Sequence, residues 1–115
     1  MLEEYIKEWG REYDVDPSRI TVQYNTIGDR YMGLTTFSHS GALCIAKIDI
    51  NKVFEDRALA AKCVLWHEFC HAELWIKEGK SDGHGDGWMK RHWRKPVLAL
   101  LDYIYAKVLF AFLKK

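Results

Sequence analysis

Leu2, Ile6, Trp9 and Tyr13 recur at intervals of three and four residues, and the positions between them are mostly charged. That period predicts an amphipathic helix over residues 2–13. Residues 14–18, with Pro17, read as its exit loop. The period then drops to two. Ile20, Val22 and Tyr24 alternate with Thr21 and Gln23; Tyr31 to Phe37 is a second extended run, weakened by Gly33; Cys44, Ala46, Ile48 and Ile50 share one face of a third. Turn-forming stretches at 25–29 and 38–41 separate the three runs, which predicts an antiparallel meander. From Asp56 to Glu78 the pattern is helical and apolar nearly all round, with Lys62, Glu73 and Lys77 on a narrow polar stripe. A helix of that kind belongs at the centre of its domain. Gly79 is a stop signal, 81–87 is a glycine-rich loop, 88–95 begins a short helix, and Pro96 opens a final helix reaching about Leu113. The expected fold class is α+β. A small antiparallel three-stranded sheet packs on the central helix, helices flank it at both ends, and residues 1–115 form one domain.

Composition changes this picture little. Apolar residues make up 49% of the chain, enough for one core, and 17 basic side chains nearly cancel 16 acidic ones. So even a balance sets up no strong field for nucleic acid, and binding by this domain alone is expected to be weak or absent. Lys90, Arg91, Arg94 and Lys95 form the one obvious basic patch. Cys44, Cys63 and Cys70 lie in apolar surroundings without the spacing of a zinc ribbon, and read as buried thiols of a reducing compartment. The N-terminus lacks the basic start and apolar run of a secretory signal, so a cytoplasmic location is expected. The run 97–113 is too short for a bilayer and contains Asp102 and Lys107, expected to face water. No membrane partner is expected. Surplus apolar surface on that helix would turn a monomer into a dimer.

The decisive segment is His67-Glu68-Phe69-Cys70-His71. On a helix, residues four apart share a face, so both imidazoles can reach one zinc ion at about 2.0–2.1 Å. Glu68, one step round, can act on a water without itself binding the metal, which is the H-E-x-x-H pattern of zinc hydrolases. A catalytic zinc takes three protein ligands and keeps one position open. His84 is the best third candidate: 12 residues separate it from His71, and Gly83 and Gly85 flank it. The metal ligands expected are therefore His67, His71 and His84, with Glu68 as general base. Asp86 is a candidate for orienting an imidazole; His39 and His92 read as surface histidines.

Together with His84-Gly85-Asp86-Gly87-Trp88, this segment resembles the SprT-like (Spartan-type) zinc metalloprotease domain over roughly residues 20–95. The resemblance implies a zincin-like fold, zinc on His67, His71 and His84, Glu68 as base, and Trp88 packed under the site. It implies a metalloendopeptidase acting on protein or peptide substrates, including DNA-associated proteins. The chain carries no zinc ribbon like that of the family's longer members. Two rivals stand beside this reading: a non-catalytic zinc-stabilised protein-binding domain, and a zinc hydrolase of a non-peptide bond. Glu68 argues against the first, because a structural site needs no carboxylate beside the metal.

Overall fold

The computed structural model describes residues 1–81 and 83–110. In chain order they form α1 (Leu2–Tyr13), β1 (Ile20–Asn25), β2 (Gly33–Ser40), β3 (Leu43–Asn51), α2 (Ala58–Glu78), α3 (Asp86–His92) and α4 (Pro96–Ile104). Tyr105–Leu109 continue α4 as a wider π-type turn. The part of the expected final helix beyond residue 110 lies outside the described residues.

The class is α+β, but the sheet is mixed, not an antiparallel meander. Its order is β1-β3-β2, with β3 parallel to β1 and antiparallel to β2. The reason lies in burial. β3 buries Ala46, Ile48, Asp49, Ile50 and Asn51, so it needs a neighbour on each side, whereas β2 is half exposed along its length and takes the edge. The long connection from Asn25 to Gly33 lets β1 avoid a hairpin with β2. That connection is pinned across the end of β3: the Asn51 side-chain amide donates to the carbonyls of Gly28 and Tyr31, each at 2.8 Å. Gln23 donates to Asp49 at 2.8 Å and fixes the β1–β3 register. The second strand runs to Ser40, so residues 38–40 belong to the hairpin arm, and Gly41 takes the turn with φ 62°.

α2 lies across the sheet against β3 and β2. Its buried residues, from Ala60 to Ile76, cover nearly the whole circumference, as the pattern predicts. Gly79 ends it in the left-handed conformation, its N–H returning to the Trp75 carbonyl at 2.8 Å. α1 packs Trp9 edge-on against Trp66 of α2, 5.1 Å between ring centroids, and Trp66 stacks on Phe69. Glu73, expected on the polar stripe, is fully buried. It holds Arg94 through both carboxylate oxygens and accepts from Lys77 at 3.1 Å. This tie anchors the segment between α3 and α4 to the back of α2. Cys63 and Cys70 are buried, Cys44 is half-buried, and all three are free thiols. No described helix is long and apolar enough to cross a membrane.

Candidate functional site

His67 and His71, one turn apart on α2, point to the same side, as their spacing requires. The glycine-rich loop after Gly79 returns the chain, so that His84 meets both. The three rings lie 5.0–5.1 Å apart, centroid to centroid. One ring nitrogen from each falls within 4.8 Å of the others. His67 Nε2 and His84 Nε2 are 3.1 Å apart. Tetrahedral donors held 2.0–2.1 Å from one ion stand about 3.3 Å apart, so this separation suits a shared cation.

Beneath the rings lies Trp88, the residue α3 places there. Its indole stacks on His71 at 5.2 Å and on His92 at 4.3 Å, and its Nε1 donates to the His67 carbonyl at 3.1 Å. α4 closes the far side, with Asp102 Oδ2 2.8 Å from His67 Nδ1. Both His92 and Asp102 are buried, against the expectation that they face water. The cause is their shared partner: Asp102 bridges His67 and His92, the latter at 3.3 Å. Asp86 is exposed, so the carboxylate that meets an imidazole here is Asp102.

Glu68 faces the sheet edge. Thr35 Oγ1 of β2 donates to its Oε1 at 2.7 Å, and its Oε2 stands 3.9 Å from His67 Nε2. At Gly33 the strand presses on this carboxylate. A Cβ there would lie 2.8 Å from Val64 and 2.9 Å from Glu68 Cγ, so only glycine lets β2 approach this closely. These contacts border a cleft of about 470 Å³, open toward Arg30, Tyr31, Leu34 and Phe37.

The electrostatics follow from crowding and burial. Burial, reinforced by the neighbouring imidazoles of His67, His84 and His92, pushes His71 down to about 3. His84 is lowered by burial and by His67. Burial opposes protonation of His67 too, but its hydrogen bond to Asp102 and the charges of Glu68 and Asp102 outweigh it and raise this group. Burial raises the Glu68 carboxyl, with His67 and Thr35 offsetting part of the rise. Burial holds His71 and His84 toward the neutral form that ligates zinc, and a carboxylate with a raised pKa beside them suits proton transfer.

The SprT-like family model matches residues 2–97. The chain belongs to the SprT-like family. The match takes in α1 as well as the segment from the sheet to the start of α4, a longer stretch than the motifs alone indicate. The family suggests a metalloprotease-type domain and is generally associated with zinc. No individual curated protein and no solved structure matched the chain.

The structure brings together His67, Glu68, His71 and His84, which the sequence singled out, and sets around them four residues that it did not. Gly33 was visible as a glycine inside a strand, a sign of close backbone approach. Asp102 was visible as an acid inside an apolar helix. Thr35 and His92 carried no signal of their own.

Proposed function

We propose that this SprT-like domain is a zinc-dependent endopeptidase in which His67, His71 and His84 hold the metal and Glu68 is the general base. The observation that carries the reading is the juxtaposition of three convergent imidazoles with a buried carboxylate that turns to a hydroxyl and not to an arginine or lysine. The chemistry zinc supplies when bound is Lewis acidity, which polarises a carbonyl and moves the pKa of water from about 15.7 toward 7.

The protein's own residues do the rest. β2 lies at the edge of the sheet, and Gly33, Leu34, Thr35 and Phe37 line the cleft. An extended peptide can pair with that edge through its backbone, with low demand on side-chain identity. This lays a scissile carbonyl beside Glu68. Its carboxylate takes a proton from the attacking water and returns it to the leaving amine, and the raised pKa brings it closer to neutrality, where a base that must also act as an acid works best. Thr35 holds one oxygen and leaves Oε2 for the proton. Of the six tyrosines, Tyr31 is the one lining the cleft, and with Arg30 it is a donor available to a developing oxyanion.

Proteins are the proposed substrates, and the domain adds little nucleic-acid affinity of its own. Three of the four residues in the basic patch are engaged in ion pairs: Arg91 with Glu78 and Glu73, Arg94 with Glu73, and Lys95 with Glu12. The test of the metal assignment is elemental analysis of the purified full chain. One zinc per wild-type chain and a sharp loss in His84→Ala are expected; equal stoichiometry and affinity in the two would rule out His84 as a ligand.

A further inference from the structure

His67 touches more than its proposed metal. Its Nδ1 lies 2.8 Å from Asp102 Oδ2. An ionised carboxylate only accepts, so this contact places the proton on Nδ1 and leaves the Nε2 lone pair directed at His84. Asp102 interrupts an apolar stretch, Val97 to Ile104, yet it is 4% exposed. A leucine would fill that position without the desolvation of a carboxylate. Where the fold needs a buried carboxylate for cohesion, as at Glu73, it supplies arginine and lysine. Asp102 receives two histidines instead.

The second of these is held from three sides. His92 stacks on Trp88 at 4.3 Å with the ring planes 19° apart, Trp66 Nε1 donates to its carbonyl at 2.9 Å, and its Nε2 stands 3.3 Å from Asp102 Oδ2. That last contact is an ion-pair distance without hydrogen-bond geometry, and Asp102 Oδ1 has no hydrogen-bond partner among the described residues. The carboxylate is therefore set by His67 and braced by His92.

Resting on the zinc reading above, we propose that Asp102 and His92 are positioning residues for His67: Asp102 selects the tautomer that turns Nε2 to the metal, and His92, clamped by Trp88 and Trp66, keeps Asp102 in place. The family match ends at residue 97, so Asp102 comes from a segment beyond it. The C-terminal helix thereby contributes to the metal centre and does not merely cover the core. Partners of this kind are worth about 10–100-fold in metal affinity.

The experiment uses the full chain. In metal-free wild type, at a pH where the ring is neutral, long-range ¹H–¹⁵N correlation should show His67 as the Nδ1–H tautomer. Asp102→Leu, which suits its apolar surroundings, should let His67 shift toward Nε2–H and weaken zinc about 10–100-fold in chelator competition. His92→Phe, which keeps the stack, should lose less than about tenfold of that affinity. A wild-type His67 in the Nε2–H form overturns the proposal, and that reading needs no variant to fold. So does an Asp102→Leu protein with native circular dichroism and unchanged zinc affinity. Failure of the wild type to bind zinc would defeat the metal reading instead, and the tautomer of the metal-free chain would still decide the positioning role.

Discussion

α2 carries two buried glutamates five residues apart, and the fold treats them in opposite ways. Glu73 is enclosed by cations: Arg94 grips both oxygens, Lys77 lies at 3.1 Å and Arg91 at 3.6 Å. Its charge is neutralised and its lone pairs are taken, so it ties α2 to the segment joining α3 and α4 and can do nothing else. Glu68 has a single hydroxyl donor and a histidine at 3.9 Å. It keeps an oxygen free at the edge of a cleft, and burial makes it hold a proton more tightly than an ordinary glutamate. A buried carboxylate surrounded by guanidinium groups is cohesion; one left with a hydroxyl and a row of imidazoles has the surroundings that the proposed general base requires.

Substitutions that act on one glutamate and spare the other would sharpen this contrast. The largest effect is expected for Glu68→Gln, which should keep zinc and fold but lower peptidase turnover by about 10²–10⁴-fold. Wild-type cleavage of a casein substrate by the zinc-loaded variant would break the comparison on its reactive side. Glu73→Ala takes from Arg94 and Lys77 the carboxylate they share and should cost about 3–5 kcal/mol in denaturant unfolding, the range for removing one partner of a buried pair. A midpoint unchanged from wild type would break it on the cohesive side. Gly33→Ala forces a methyl against Val64 and Glu68 and should destabilise by about 1–3 kcal/mol, with turnover falling further than stability explains. Restored turnover in a paired Val64→Ala background would show that crowding is the cause.

The last effect is a slope, small over any one pH unit. His71 is held neutral in the folded chain down to about 3, while an unfolded histidine titrates near 6.5. Between those values the unfolded chain binds the extra proton at this residue, so His71 lowers the stability of the metal-free domain as pH falls. The loss attributable to His71 is at most about 1.4 kcal/mol per pH unit. His71→Gln, unfolded in chelator across that range, should show a shallower dependence, and identical slopes would exclude His71 as the source.

Much of this site was legible because its spacing is local. His67 and His71 need only a helix, and the helix announces itself by apolar residues on all sides; His84 needs only a loop long enough to return. The sheet order was not legible, because alternation in Ile20–Tyr24 says that a strand exists and nothing about which strand it pairs with. The decisive facts were the burial of Asp49 and Asn51 in β3 and the grip of Asn51 on the β1–β2 connection. Polar residues in α4 and α3 misled for a related reason. Asp102 and His92 look like solvent-facing residues until each is seen to be the other's neighbour, across a separation that no period reveals. The ion pairs of the basic patch were equally hidden, since its partners Glu12, Glu73 and Glu78 are scattered along the chain.

The strand order sets the sequence in which the sheet can assemble. β2 and β3 meet through a two-residue hairpin, while β1 must close a loop that contains the whole of β2 before it can pair. Loop-closure entropy therefore favours the hairpin as the early structure and makes β1 the late arrival. The hairpin carries Gly33 and Thr35, the two residues against which Glu68 rests. The surface on which the Glu68 carboxylate of α2 rests is thus closed by a two-residue turn and does not wait on the long loop that β1 must close.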